Sequence, residues 1–190
     1  MFYDRKDAGS KLAEKLLHYK DENPVVLGIA RGGIEIGFEI AKALNAQFDA
    51  VITRKLPFPD NPEAGFGAVA EDGGVYLHPH SEIIPKQQIE KIKAEQIEEI
   101  KRRAEVIRKN RALPTIKNRT VILADDGIAM GSTMKASIAL CRSRNCAKVV
   151  VAAPVAGPIV KNQMQDTADD AVILETPSNF RAVAQVYRNY

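Results

Sequence analysis

The stretch Val121–Thr133, VILADDGIAMGST, decides how the rest of the chain is read. Val121, Ile122, Leu123 and Ala124 form the unbroken apolar run of a strand covered on both faces of a parallel sheet. Asp125 and Asp126 mark where that strand leaves the core, because two unpaired carboxylates are too costly to bury. They are expected to face solvent, a cation or a polyhydroxyl ligand. The loop that follows, Gly127-Ile128-Ala129-Met130-Gly131, is bracketed by glycines, and Ser132 and Thr133 open a helix. Unpaired backbone N–H groups and two hydroxyls converge there, which makes an anion site. The helix dipole contributes roughly 0.3–1 kcal/mol for a nearby anion, and each charge-assisted hydrogen bond roughly 1.5–3 kcal/mol. A phosphate fits the loop. The acids beside it would repel a phosphate unless they bind another part of the same ligand, such as ribose hydroxyls, directly or through Mg²⁺. A phosphorylated sugar meets both conditions. A Walker loop does not fit, since only three residues separate Gly127 from Gly131 and no Lys follows.

A second loop of the same kind lies earlier. Pro24 releases a short apolar strand, Val25–Ile29, which ends in Ala30-Arg31-Gly32-Gly33 before a helix over Ile34–Leu44. Two glycines let backbone amides approach a ligand, and Arg31 offers a forked donor suited to phosphate oxygens. Two anion loops on one sheet edge suit a ligand with two phosphate groups. The next strand, Phe48–Thr53, leads into the basic pair Arg54-Lys55. Three prolines and two glycines between Leu56 and Gly67 predict a loop over the site, and Phe66–Glu71 with Val75–Leu77 predicts a hairpin. His78 and His80 read as surface histidines.

From Pro85 to about Arg111 the pattern is a long charged helix with one narrow stripe: Ile89, Ile92, Ile97, Ile100, Ala104 and Ile107. Glu98 with Arg102, Glu99 with Arg103 and Glu105 with Lys109 stand four apart in the favourable order. The helix is expected to lie across the body as a solvated element; a partner subunit, as in a homodimer, or RNA at the basic stretch Lys101–Arg119 are the alternatives. Ala8–Tyr19 reads as an amphipathic helix. Lys148–Ala153 is a strand, Pro154 and Pro158 break the chain into a turn, and Ala171–Leu174 is a last strand. In Asn179–Tyr190, Phe180, Val183 and Tyr187 share one helical face.

A chain of 190 residues suits one domain over 1–190. The net charge of +3 is too small to argue for nucleic acid or a membrane. Cys141 and Cys146 carry no metal-ligand spacing and read as free thiols in a reducing compartment. The first residues lack an apolar signal core, and the expectation is a cytoplasmic protein. Alternating strands and helices, with ligand groups at strand ends, predict an open, mostly parallel, doubly wound α/β sheet with its site on the carboxyl edge.

The central stretch resembles the phosphoribosyl pyrophosphate (PRPP) signature of type I phosphoribosyltransferases: an apolar run, two acids, then a small loop ending in Gly and a hydroxyl residue. The likeness spans nearly the whole chain and is nearest to stand-alone phosphoribosyltransferase-domain proteins. It departs at Met130, where the family usually carries Thr. The resemblance implies transfer of ribose 5-phosphate from PRPP to a nucleobase-like acceptor, with Mg²⁺ as cofactor and pyrophosphate released. Gly127–Thr133 would hold the PRPP phosphate. Ala30, Arg31, Gly32, Gly33 and Arg54 would hold pyrophosphate. Asp125, Asp126 and Lys55 would be catalytic, the two acids also serving as metal contacts. Residues 55–80 would form a mobile flap and 175–190 a small hood, with Phe180 and Tyr187 either docked on the core or touching the base. Ala129 stands where the 6-oxopurine enzymes carry a proton-handling Asp; the adenine enzymes recruit a carboxylate from elsewhere, for which Glu63, Glu71 and Glu175 are candidates. The alternative reading is a regulatory protein that senses PRPP or a nucleotide without turnover.

Overall fold

The computed structural model describes residues 1–109 and 111–190, with the side chain of Glu63 outside the described part. Strands β1 (Val25–Ile29), β2 (Gln47–Val51), β6 (Thr120–Ala124), β7 (Lys148–Val155) and β8 (Asp170–Glu175) form a parallel sheet in the order β2-β1-β6-β7-β8. Alternate residues of each strand enter opposite cores. Val25, Leu27, Val121, Leu123 and Val151 meet α4 (Ser132–Ser143), and Met164 of α5 (Pro158–Thr167) joins the same cluster. Val26, Ile122, Ala124 and Val150 meet α1 (Arg5–Leu16) and α2 (Gly32–Leu44) on the other face. Coverage of both faces explains why these strands read as unbroken apolar runs. The doubly wound α/β sheet is thus present as predicted.

The order of strands fixes where a ligand can bind. From β1 the chain crosses to β2 on one side, and from β6 it crosses to β7 on the other. The carboxyl ends of the neighbours β1 and β6 therefore border the crevice where the connections diverge, the usual ligand position of such sheets. The residues that follow these strands are Ala30-Arg31-Gly32-Gly33 and Asp125-Asp126.

The segment expected to be a loop is a hairpin instead. β3 (Thr53–Phe58) pairs antiparallel with β4 (Asn61–Ala70), which pairs with β5 (Val75–Leu77) in a second, smaller sheet. Its prolines are accommodated because the register shifts on both sides of Pro57, Pro59 falls between the two strands, and β5 pairs only with Gly67–Val69, leaving Pro62 beyond that ladder. The β4–β5 hairpin lies where the sequence placed it.

Helix α3 (Lys86–Arg108) packs on this second sheet. Ile92 and Ile100 are buried with Ile52, Leu56, Phe66 and Val69, and the rest of the predicted stripe packs around them. The stripe is thus consumed within the chain. The helix stops three residues before Arg111, because Lys109 takes a left-handed conformation (φ 49°) as its C-cap. Asn110, inside the predicted range, lies outside the described residues. Of the predicted ion pairs, Glu99–Arg103 forms, while Arg102 also turns to Glu99 and Glu98 takes Lys101. Arg108, buried at the end of α3, is paired with Glu71 and donates to the carbonyl of Ala50, joining α3 to both sheets.

Two further corrections concern the later residues. β7 runs through Pro154 to Val155, and Pro158 opens α5 at its first turn. Residues 179–190 form no α-helix; only Val183–Val186 makes a short 3₁₀ turn. The backbone here bonds to a different segment: Phe2 N–H donates to the Val186 carbonyl, Arg188 N–H to that of Phe2, and Asn189 N–H to that of Tyr3. No helix among the described residues is long and apolar enough to cross a membrane.

Candidate active site

The loops after β1 and β6 meet in a cavity of about 610 Å³. Ala30, Arg31 and Gly32 line it from the first loop, and Asp125, Asp126 and Thr133 from the second. The two loops touch because Gly32 and Gly33 have no side chains. A Cβ on Gly32 would stand 2.1 Å from Oδ2 of Asp126, and one on Gly33 would stand 2.2 Å from the carbonyl of Ala124. Gly33 is therefore packing beneath the site. The loop Gly127–Gly131 is anchored by Ile128, whose N–H donates to the Val155 carbonyl at 2.8 Å. It closes at Gly131, the N-cap of α4, whose φ of 78° an L-residue would resist, and no side chain caps the first amides of the helix. Ala129 and Met130 are exposed.

Of the partners expected for the acids, solvent, a cation or a polyhydroxyl ligand, Asp126 meets a cation supplied by the chain itself. Asp126 is 7% exposed and is held by Arg5, whose Nε and Nη2 each lie 2.8 Å from Oδ2. Arg5 in turn lies over the ring of Tyr190, 4.1 Å from its centroid. Tyr187 donates its hydroxyl to the backbone carbonyl of Asp126 at 2.6 Å. The backbone pairing of residues 2–3 with 186–189 thus carries Arg5, Tyr187 and Tyr190 to the end of β6. Asp125, half-buried, accepts the N–H of Asp126 through Oδ1 at 2.9 Å. Burial, and then the charge of Asp126, push the Asp125 carboxyl well above the usual carboxylate range. Burial lowers the Arg5 guanidinium, but the hydrogen bond and charge of Asp126, together with Tyr190, outweigh it and leave Arg5 above its ordinary value.

Several expected site residues lie elsewhere. Arg54 faces α3, where its Nε donates to Gln96 Oε1 at 3.0 Å. Lys55 is exposed on the opposite face of β3, outside the cavity lining. Tyr187 is buried against Phe2 and supports Asp126 from behind. Phe180 packs beside Gly157. Glu71 is taken by Arg108 and by the N–H of Ile52, and Glu175 bonds the amino group of Met1.

Three cavity residues were not singled out by the sequence reading, and a fourth residue, beside the loop, was read differently. Arg5, Glu35 and Tyr190 line the cavity. His78, read as a surface histidine, hydrogen-bonds through Nε2 to Ser132 Oγ at 2.8 Å and ties the end of β5 to the start of α4. Burial, then Lys135 and His80, hold its imidazole below the ordinary histidine value, so it is neutral near pH 7. Only Arg5 had a sequence trace, since two adjacent acids at a strand end call for a cation.

An open α/β sheet with two glycine-bearing loops and an acid pair at its switch point has its candidate site where such sheets take their ligands. The profile of the "Phosphoribosyl transferase domain" family matches residues 3–190, and the chain belongs to that family. It is 38% identical over 193 aligned residues to "Putative phosphoribosyl transferase Rv0571c" of Mycobacterium tuberculosis (strain ATCC 25618 / H37Rv), covering 100% of this chain and 44% of the relative. The chain thus spans less than half the length of that relative. Among solved structures, TT1426 from Thermus thermophilus is 38% identical with a TM-score of 0.83, covering 98% of this chain and 90% of that one. A purine phosphoribosyltransferase from Pyrococcus horikoshii shares the fold at 16% identity, TM-score 0.51 and 94% coverage of both chains.

Proposed function

We propose that this phosphoribosyltransferase domain transfers ribose 5-phosphate from PRPP to a ring nitrogen of a nucleobase-like acceptor. The observation that carries the reading is the meeting of Arg31 and Gly32, the acid pair and Thr133 in one cavity at the switch point. The amides of Gly127–Thr133 hold the 5-phosphate, and Ala30–Gly33 with Arg31 hold the diphosphate. As the bond from C1 to the diphosphate oxygen breaks, its electron pair leaves with pyrophosphate, and the acceptor nitrogen bonds to C1 and gives up its proton to water. Arg31 meets the charge growing on the leaving group, and Asp125 orients the ribose hydroxyls. Arg5 holds Asp126 in place. Lys55 would reach the diphosphate only if the β3–β4 hairpin closed over the cavity, which would also exclude water.

The donors present suit Mg²⁺. With Asp126 engaged by Arg5, Asp125 is the residue that would hold such an ion, together with the bound substrate. When bound, Mg²⁺ would neutralise the diphosphate and improve it as a leaving group.

Pyrophosphate release from PRPP across a panel of nucleobases tests the reading. Release by the native domain and its loss in Asp125→Asn are expected; no release with any base, despite a PRPP-dependent rise in Tm, would favour a sensor. One observation favours that second reading: Asp126 already has a cation as partner. As to the acceptor, Ala129 has no proton-handling group, and such groups contribute about 10²–10⁴-fold in rate. Hypoxanthine and guanine are therefore expected to be poor substrates, and conversion of hypoxanthine at about 10 s⁻¹, an ordinary enzyme rate, would refute this.

A further inference from the structure

Arg31 lines a second cavity as well as the first. This one, about 360 Å³, is completed by Arg102, Arg103, Val106 and Ile107 of α3. Arg54 of β3, outside the lining, bonds to Gln96 of the same helix. Burial, then repulsion from Arg103, with Arg102 and Arg31 adding to it, hold the Arg54 guanidinium below the ordinary arginine value. Four guanidiniums thus sit within electrostatic reach of one another. Among the described residues their ion pairs run to Glu99 alone, which accepts from both Arg102 and Arg103. Those hydrogen bonds, from Arg102 and then Arg103, bring the Glu99 carboxyl down to about 2. It therefore stays ionised at any working pH.

One carboxylate against four cations leaves the cluster positive. Like charges held together destabilise the folded chain. Packing does not require them, because α3 is fixed by its isoleucine stripe and by Arg108. A bound anion removes the repulsion, and planar forked donors match phosphate oxygens in pairs. The lining contains no aromatic ring on which a base could stack, which separates this cavity from a single-stranded nucleic acid groove. We propose that the cavity between Arg31 and the Arg102-Arg103 turn of α3 is a second anion site, and that it takes an oligophosphate chain, free or borne by a nucleotide. The site stands independently of the transfer reaction proposed above and shares only Arg31 with it.

Calorimetric titration of the whole chain with sodium tripolyphosphate, without Mg²⁺, tests this. The native protein should bind it, and Arg102→Gln with Arg103→Gln should weaken binding at least about tenfold, a loss of roughly 1.4 kcal/mol, and reduce its salt dependence. Glu99→Gln, which removes the one opposing charge, should tighten binding about threefold or more. Equal affinity in the native protein and the double variant would overturn the proposal by placing the anion in the acid-pair cavity alone. No tightening in Glu99→Gln would count equally against it. Titration with ATP separates the sources: binding as tight as that of tripolyphosphate supports a nucleotide, and much weaker binding supports free polyphosphate. A single-stranded oligoribonucleotide that binds through Arg102 and Arg103 while tripolyphosphate does not would replace the proposal with nucleic acid. A PRPP-dependent shift in Tm, measured separately on the same variants, tells failure of this site from failure of the transfer reading.

Discussion

Replacing Arg5 by Met should destabilise the domain in a way that grows with pH. Arg5 places two N–H donors at 2.8 Å on one oxygen of Asp126, and the two side chains are 25% and 10% exposed. Methionine keeps much of the aliphatic volume beside Tyr190, so the main loss is the charge and its hydrogen bonds. A hydrogen bond to a charged group contributes about 1.5–3 kcal/mol, and breaking a fully buried pair costs about 3–5 kcal/mol. Because water can reach a quarter of Arg5, a loss of about 2–3 kcal/mol is expected, between these limits. For a chain of this size that corresponds to a fall in Tm of about 4–12 °C.

The pH dependence has a definite sign. Asp125 has a folded pKa above its unfolded value, owing to burial and then to Asp126, and Arg5 partly opposes that rise. Such a group favours the folded state below its unfolded pKa, and that contribution is lost as pH rises through the folded pKa. Without Arg5 the carboxyl moves further up, so the loss is larger at about pH 8 than at about pH 5, where more of the acid is protonated. Thermal unfolding of native, Arg5→Met and Arg5→Lys proteins across this range measures it, the lysine variant retaining part of the stability. A Tm for Arg5→Met equal to native, or a loss that grows on acidification, would refute the role given to this pair.

Three further outcomes are expected. Asp125→Asn should hold or raise Tm, since it removes a poorly solvated charge beside Asp126 while keeping an oxygen for the Asp126 N–H, and it should lower PRPP-dependent turnover by about 10²-fold or more. Arg108→Met should cost about 3–5 kcal/mol in a urea titration, because it strands the nearly buried Glu71; a cost under about 1 kcal/mol would mean α3 is held by its isoleucine stripe alone. His78→Gln should flatten the fall of Tm below about pH 6.5: the native imidazole has a lowered folded pKa, so stability is lost as pH drops from the ordinary histidine value toward the lowered one.

The parts of this chain that were legible in sequence are those where local pattern and tertiary role coincide. Val25–Ile29 and Val121–Ala124 are buried on both faces, so their apolar runs carried the sheet, and the loops that follow them border the cavity because a parallel sheet presents its carboxyl ends there. Prolines between Leu56 and Gly67 misled, since an irregular antiparallel pair tolerates them at register shifts and beyond a short neighbouring strand. Phe180, Val183 and Tyr187 have helical spacing, yet the backbone that carries them is satisfied by Phe2 and Tyr3. Periodicity reports only which side chains find apolar neighbours.

Arg5 was hidden for a deeper reason. It lies 121 residues from the carboxylate it neutralises, and no spacing rule spans that distance. What the sequence does contain is the electrostatic demand: two adjacent carboxylates at the end of a buried strand cannot both be left unpaired. Solvent, a cation and a polyhydroxyl ligand were the expected answers. For Asp126 the fold supplies the cation from within the chain, by pairing the backbone of residues 2–3 with 186–189 so that Arg5 reaches Asp126 and Tyr187 bonds its carbonyl. That answer divides the acids between two tasks. Asp126, nine-tenths buried and paired, belongs to the scaffold, and Asp125, half-buried with its proton affinity raised, is the acid to which the proposed transfer gives the ligand. A single neutralised acid beside a single reactive one is a different site from two equivalent carboxylates, and the unequal effects expected of Arg5→Met on stability and Asp125→Asn on turnover are the measure of that difference.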